Sequence, residues 1–203
     1  MAWDELTRDA VEENGRDRER WIGVYIGILA VMLAICAMGG GNAAKDATLK
    51  NIEASNTWAF FQAKNMRRHV LRVEADDLDL RLKAEPDLTP DGREAITAKI
   101  AEYKKQDEIL TVGDPDKPAD RREGLDQLFE RGKRLEIERD VAMRKDPYFD
   151  YGEALLQIAI VLASISIIIR VGFLLAISGA LGVAGALLTV NGFTLAVTLP
   201  GLG

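Results

Sequence analysis

The chain has 203 residues, is 48% hydrophobic and 29% charged, and carries a net charge of −6, averages that would suit an ordinary soluble domain. The distribution excludes that class: residues 1–20 hold 7 acids against 4 arginines, 42–153 hold 25 acids against 21 bases, and all the rest holds one charge, Arg170. A disulfide scaffold is excluded because Cys36 is the only cysteine, and a nucleic-acid binder because the polar block is mildly acidic with its bases interspersed among acids.

After the polar segment 1–20, residues 21–41 read as the first transmembrane helix. Ile22 to Met38 is uncharged, and glycines 39–41 extend it to the roughly 20 residues that cross a bilayer core. Arg16, Arg18 and Arg20 precede it, and Trp21 and Tyr25 sit where the chain enters, so Arg20 and Trp21 are expected topology anchors. The acidic leader argues against a cleaved signal peptide.

Residues 42–153 read as an extramembrane helical hairpin. Steps of three and four from Leu49 reach Ile52, Asn56, Ala59, Ala63, Met66, Val70, Val73, Asp77 and Leu80, a heptad pattern with Asn56 and Asp77 as its polar exceptions. Neither glycine nor proline interrupts Asn42–Glu85, so one helix of roughly 40 residues is expected, about 60 Å long, ending at Pro86. Thr89-Pro90 reads as a second helix start, with Ile96, Ile100, Tyr103 and Leu110 on its apolar face until the break at Gly113–Pro118. A third helix, from about Ala119, carries Leu125, Leu128, Phe129, Leu135 and Val141 back towards the membrane.

Ala154 to Leu199 is too long for one crossing and must fold back: 154–169 and 173–190 are the second and third transmembrane helices, with Arg170 and Gly172 at the turn and Arg170 as a further anchor. Asp146-Pro147 reads as an N-cap with proline in the first helical position, and Tyr148, Phe149 and Tyr151 as an interfacial aromatic belt. The apolar tail 191–203, with Pro200, reads as an irregular end. The fold class expected is thus an all-α membrane protein, with three transmembrane helices and a long, coiled-coil-like hairpin between the first and second.

Trp58, Ala59, Phe60 and Phe61 cover a full helical turn with apolar side chains, which one hairpin partner cannot enclose. Together with Ala63 and Met66 they form a candidate interface for a homo-oligomer or other membrane-complex subunits; an intrachain three-helix bundle and an aromatic ligand site are the alternatives. In the membrane segments, Gly23 and Gly27 have the GxxxG spacing, and Gly179 and Gly182 lie in a small-residue run with Ser178, Gly185 and Ala186. These glycines suit packing either between copies or within one subunit.

Catalytic patterns are weak. Gly124 to Gly132-Lys133 has the wrong spacing for a phosphate loop. His69 is the only histidine and, beside Arg67 and Arg68, reads as part of a solvated face. Glu74, Asp76, Asp77 and Asp79 lack a calcium-loop glycine turn and have Arg72 and Arg81 within helical reach. The expectation is a non-catalytic protein without a cofactor or metal.

Two stretches carry a family resemblance: Asn56–Lys64, containing Trp58-Ala59-Phe60-Phe61-Gln62-Ala63-Lys64, and Asp146–Ser164, containing Tyr148-Phe149-Asp150-Tyr151-Gly152-Glu153-Ala154-Leu155-Leu156. On them, and over most of the chain from the first transmembrane segment onward, the sequence resembles bacterial membrane proteins of domain-of-unknown-function family 4337. The resemblance implies a three-crossing protein of the bacterial inner membrane and brings no activity or catalytic residue. Arg16, Arg18, Arg20 and Arg170 share one side in this topology, so the N-terminus is expected in the cytoplasm and the hairpin in the periplasm; Lys45, Lys50, Arg144 and Lys145 dilute that vote. The functional expectation is a self-associating scaffold, with an accessory subunit of a larger complex or an oligomeric pore as alternatives.

Overall fold

The computed structural model describes residues 2–118, 123–169 and 171–199, with side chains from residue 18 onward. All regular elements among them are helices: α1 Ala2–Ala84, α2 Pro90–Val112, α3 Leu125–Ile169 and α4 Gly172–Thr194. Of these, α1, α3 and α4 are long and apolar enough to cross a membrane. Contacts divide the chain into two units, Met1–Ala47 with Asp140–Gly203, and Thr48–Arg139.

No proline occurs before Pro86, and the leader, the first apolar stretch and the first polar arm form one helix of 83 residues. Three successive glycines inside a helix oppose it by about 1 kcal/mol each relative to alanine. What two of them, Gly39 and Gly40, gain is close approach. A Cβ at Gly39 would lie 2.5 Å from the Phe149 ring and 2.9 Å from Phe193, and one at Gly40 would lie 3.1 Å from Phe149. Gly192 on α4 presses on the same ring, where a Cβ would sit at 2.9 Å, and Phe193 meets it edge-on at 4.9 Å between centroids. Phe149 is 2% exposed in this slot and joins Leu29, Cys36, Ala43, Leu156 and Ala159 in the core of the first unit.

Polar side chains in this unit spend their hydrogen bonds on backbone carbonyls. Ser178 Oγ donates to Ala159 O at 2.6 Å, Tyr25 Oη to Ser178 O at 2.9 Å, Cys36 Sγ to Phe149 O at 3.2 Å and Thr189 Oγ1 to Gly185 O at 2.8 Å. Satisfied in this way, a hydroxyl or thiol is tolerated in an apolar surrounding where water supplies no alternative partner.

Two sequence expectations are corrected here. Pro147 does not start a helix; it lies inside α3. Proline there removes one backbone donor, but Tyr148 and Phe149 immediately after it are 1% and 2% exposed, and their burial holds the helical path through the break. The tail beyond Val190 is also not irregular throughout: α4 continues to Thr194 and ends with Leu195 in the left-handed region, φ 48°. The chain then folds back. Asn191 Nδ2 donates to Val197 O at 2.8 Å and Asn191 Oδ1 accepts from Val197 N at 2.9 Å, while Tyr148 Oη accepts from Leu199 N at 3.1 Å.

In the second unit, α2 runs antiparallel to α1, since Arg72 bonds to Asp107 whereas Arg68, one turn earlier, reaches Thr111. Thr89 caps α2, its hydroxyl accepting from Gly92 N at 3.2 Å, and Pro90 occupies the first turn, as its sequence signature indicates. Gly113 ends α2 at φ 99°. Gln127 Nε2 donates to Val112 O at 2.9 Å and ties the start of α3 to the end of α2. α3 then takes over from α2 along α1, through Trp58–Glu136 and Lys50–Glu138.

Candidate interaction surface

The aromatic turn of α1 is divided between two environments. Trp58 is half-buried against α3: its ring meets Phe129 edge-on at 5.6 Å, and a Cβ at Gly132 would lie 2.8 Å from it. Trp58 Nε1 donates to Glu136 Oε1 at 2.9 Å, and Lys133 Nζ stands 5.8 Å over the ring. Phe61 completes the cluster, 5.6 Å from Trp58 and 6.2 Å from Phe129. Phe60 points elsewhere and is 57% exposed, with Ala59, Ala63 and Met66 exposed on the same side. The single chain thus encloses Trp58 and Phe61 and leaves Phe60 outside, a division invisible to a count of apolar residues around the turn.

The heptad counted from Leu49 lies on that outer side. Its six large apolar members, Leu49, Ile52, Met66, Val70, Val73 and Leu80, are between 47% and 66% exposed; Asn56, Ala59, Ala63 and Asp77 are exposed too. The face that packs against α2 and α3 follows the same steps two positions away, through Ala54, Thr57, Phe61, Lys64, Arg68, Leu71, Ala75, Leu78 and Leu82, each buried or half-buried. Two residues rotate a helix by about 200°, so the two registers occupy opposite faces. The inner face is interrupted by Thr57, Lys64 and Arg68. Sequence counting missed it because Ala54, Thr57, Lys64 and Arg68 interrupt its apolar character.

Charge accounts for part of the inner face. Arg72 makes a two-point bond to Asp107, at 2.9 and 3.0 Å, and Arg68 Nη1 donates to Thr111. Arg72 therefore crosses to α2 rather than neutralising the acidic run on its own helix; there Arg81 pairs with Asp77 at 3.0 Å and Lys83 with Asp79. Burial pushes the Lys64 ammonium below the ordinary lysine range, against the opposing field of Glu123. The Lys133 ammonium, helped by the Trp58 N–H, holds the Glu136 carboxyl below its ordinary range. Sequence reasoning put Phe129 on an apolar helix face and met Gly132 only in a rejected phosphate loop, and it named neither Glu136 nor Asp107; it paired none of the four with Trp58 or Arg72. Among the described residues no group of three or more His, Cys, Asp or Glu is placed to hold a metal.

Between α1 and α2 the outer face opens into an apolar groove of about 460 Å³, lined by Met66, Val70, Leu71, Ile109 and Leu110 with Arg67 and Gln106. Its lining offers contact area and no nucleophile.

The membrane-segment glycines divide as well. Gly182 is used within the chain, where a Cβ would lie 2.8 Å from Leu29 and 2.9 Å from the Tyr25 hydroxyl, whereas Gly23, Gly27 and Gly179 have nothing within 4 Å of that position. Trp21 is 74% exposed and Arg20 is exposed beside it. Arg170 and the side chain of Arg16 lie outside the described residues.

No curated protein and no solved structure matches the chain. The family model described as Domain of unknown function (DUF4337) matches residues 18–195, which take in the three long apolar stretches, the aromatic turn and the outer face of α1. The chain belongs to the DUF4337 family.

Proposed function

We propose that this protein is a non-catalytic membrane scaffold that self-associates through the second unit. The observation that carries the reading is the outer face of α1: Leu49, Ile52, Met66, Val70, Val73 and Leu80 stand at least 47% exposed in a helix segment rich in charge. Burying side chains of this size is worth roughly 1.5–3 kcal/mol each, so a face of six leaves a large driving force unused in one copy. In the membrane segments the same exposure is satisfied by lipid; beyond them a protein surface is the natural cover.

The reading includes a bacterial inner-membrane location, an N-terminus in the cytoplasm, a coiled-coil-like arm in the periplasm, and no cofactor or nucleic-acid partner. Its test is the mass of the full chain in lipid nanodiscs. A multiple of 22.3 kDa after subtraction of lipid and belt is expected, and a stable single copy overturns it. Co-purification of a different chain in fixed ratio, with no self-contact, would favour the accessory-subunit reading. A one-sided reporter inserted at Pro90 tests the orientation, periplasmic activity being expected.

A further inference from the structure

We infer that the occupant of the outer face is a second copy of this chain, lying parallel and in register along Leu49–Leu80. The inference rests on the self-association reading and adds partner number, direction and register.

Direction follows from α1 itself. The helix that carries the outer face is also one of the three long and apolar enough to cross a membrane, and two copies inserted alike in one bilayer have their α1 helices parallel. A two-fold axis along the membrane normal then sets each outer-face residue against its own counterpart. Leu49 begins the repeat at a, which puts Ile52, Ala59, Met66, Val73 and Leu80 at d and Asn56, Ala63, Val70 and Asp77 at a.

Charge complementarity supports this pairing. In a parallel pair each g residue faces the e residue five positions further along the partner. His69 meets the partner's Glu74, Asp76 meets the partner's Arg81 and Gln62 meets the partner's Arg67; the remaining two junctions are Thr48 with the partner's Glu53 and Ser55 with the partner's Phe60. None of the five sets like charges together.

The polar exceptions have a place in the same scheme. Asn56 is an a-position amide that bonds to its counterpart only when the two helices are in register, a device that fixes register and favours two strands at some loss of stability. Arg81 lies 3.0 Å from Asp77 of its own helix, so in the pair this one guanidinium stands between Asp77 and the partner's Asp76 and is shared by the two. Ala59 and Ala63 leave room for close helix contact, and Phe60, at e, covers that small layer from the side.

Single cysteines in a Cys36→Ala background test the geometry in native membranes. Met66→Cys and Val73→Cys should each form a disulfide-linked dimer under mild oxidation, about tenfold above exposed Ala98→Cys on α2, since the bond needs close, correctly aimed Cβ atoms. Differently tagged Met66→Cys and Val73→Cys chains expressed together should give negligible cross-product. Abundant cross-product means an antiparallel or slipped pair and overturns the inference. A dimeric mass without cross-links at either position overturns this seam while leaving self-association standing; a monomeric mass removes both. Asn56→Leu should broaden the single dimer into several species. One unchanged dimer would take the register role from Asn56.

Discussion

In the Met1–Ala47/Asp140–Gly203 unit the helices meet through glycine: Gly39, Gly40 and Gly192 close on one phenylalanine, and Gly182 admits Leu29 and Tyr25. In the Thr48–Arg139 unit α1 has no glycine at all, and beside the buried Ala54, Thr57 and Ala75 its inner face makes contacts through long side chains, with Arg72–Asp107 and Lys50–Glu138 among them. The difference tracks the two solvents. Where lipid surrounds a helix, apolar burial gives no preference for protein over lipid, so affinity comes from close backbone approach and bonded hydroxyls. In water, burial drives association and charges set direction. An outward Val31, 61% exposed, and an outward Val73, 66% exposed, therefore differ in setting: the first lies in an apolar stretch suited to lipid, the second in a charged arm where its exposure motivates the proposed association.

The largest expected effect tests the glycine slot. Phe149→Ala should lower stability by about 3–5 kcal/mol, since the ring is fully enclosed and stiff helices cannot collapse on the void. Reversible unfolding in mixed micelles followed by circular dichroism measures it, and a change below about 0.5 kcal/mol would break the contrast between the units. Next comes the half-buried tryptophan: Trp58→Ala should cost about 3 kcal/mol and Trp58→Phe about 1, the latter isolating the bond to Glu136.

A double-mutant cycle on Arg72→Ala and Asp107→Ala should give a small coupling that shrinks in high salt, because Arg72 is half in water. Equal coupling at all salt concentrations would contradict a solvent-screened pair. Acid gives a further check. The Glu136 carboxyl is depressed in the folded chain, so its contribution is complete above the unfolded-state value and disappears as pH falls through the lower, folded one. With Trp3 and Trp21 replaced by Phe, the Trp58 emission should hold steady through the ordinary carboxylate range and shift only below it. The smallest effect belongs to the outer face: Val73→Ser should leave the stability of one copy within about 0.5 kcal/mol while weakening association, and a large loss in the monomer would show that the face is already in use.

Periodicity and charge segregation made much of this fold legible. The three apolar helices, the stop at Pro86 and the Thr89-Pro90 start all rest on local chemistry that acts in the same way in any context. Pro147 failed because its local signal was outweighed by the burial of Tyr148 and Phe149, which only the assembled core supplies. The candidate surface was readable in part. Its residues were found by apolar spacing, yet spacing alone does not tell which of two opposite registers a chain turns inward. The inner register meets Asp107 and Thr111 through Arg68 and Phe129 through Phe61, all distant in sequence.

The Tyr148 hydroxyl takes on a different aspect when it is viewed from the end of α4. It donates to Val197 O at 3.3 Å and accepts from Leu199 N at 3.1 Å, and with the Asn191 side chain it turns the stretch after the helix into a knot rather than a loose strand. Proteases should find residues 195–199 resistant in the intact protein, and Tyr148→Phe should open them to cleavage without unfolding the helices. A reporter or affinity handle attached beyond Leu199 then hangs from a fixed point on α3, and a deletion made at Thr194 leaves that hydroxyl, on a ring only 1% exposed, without either backbone partner.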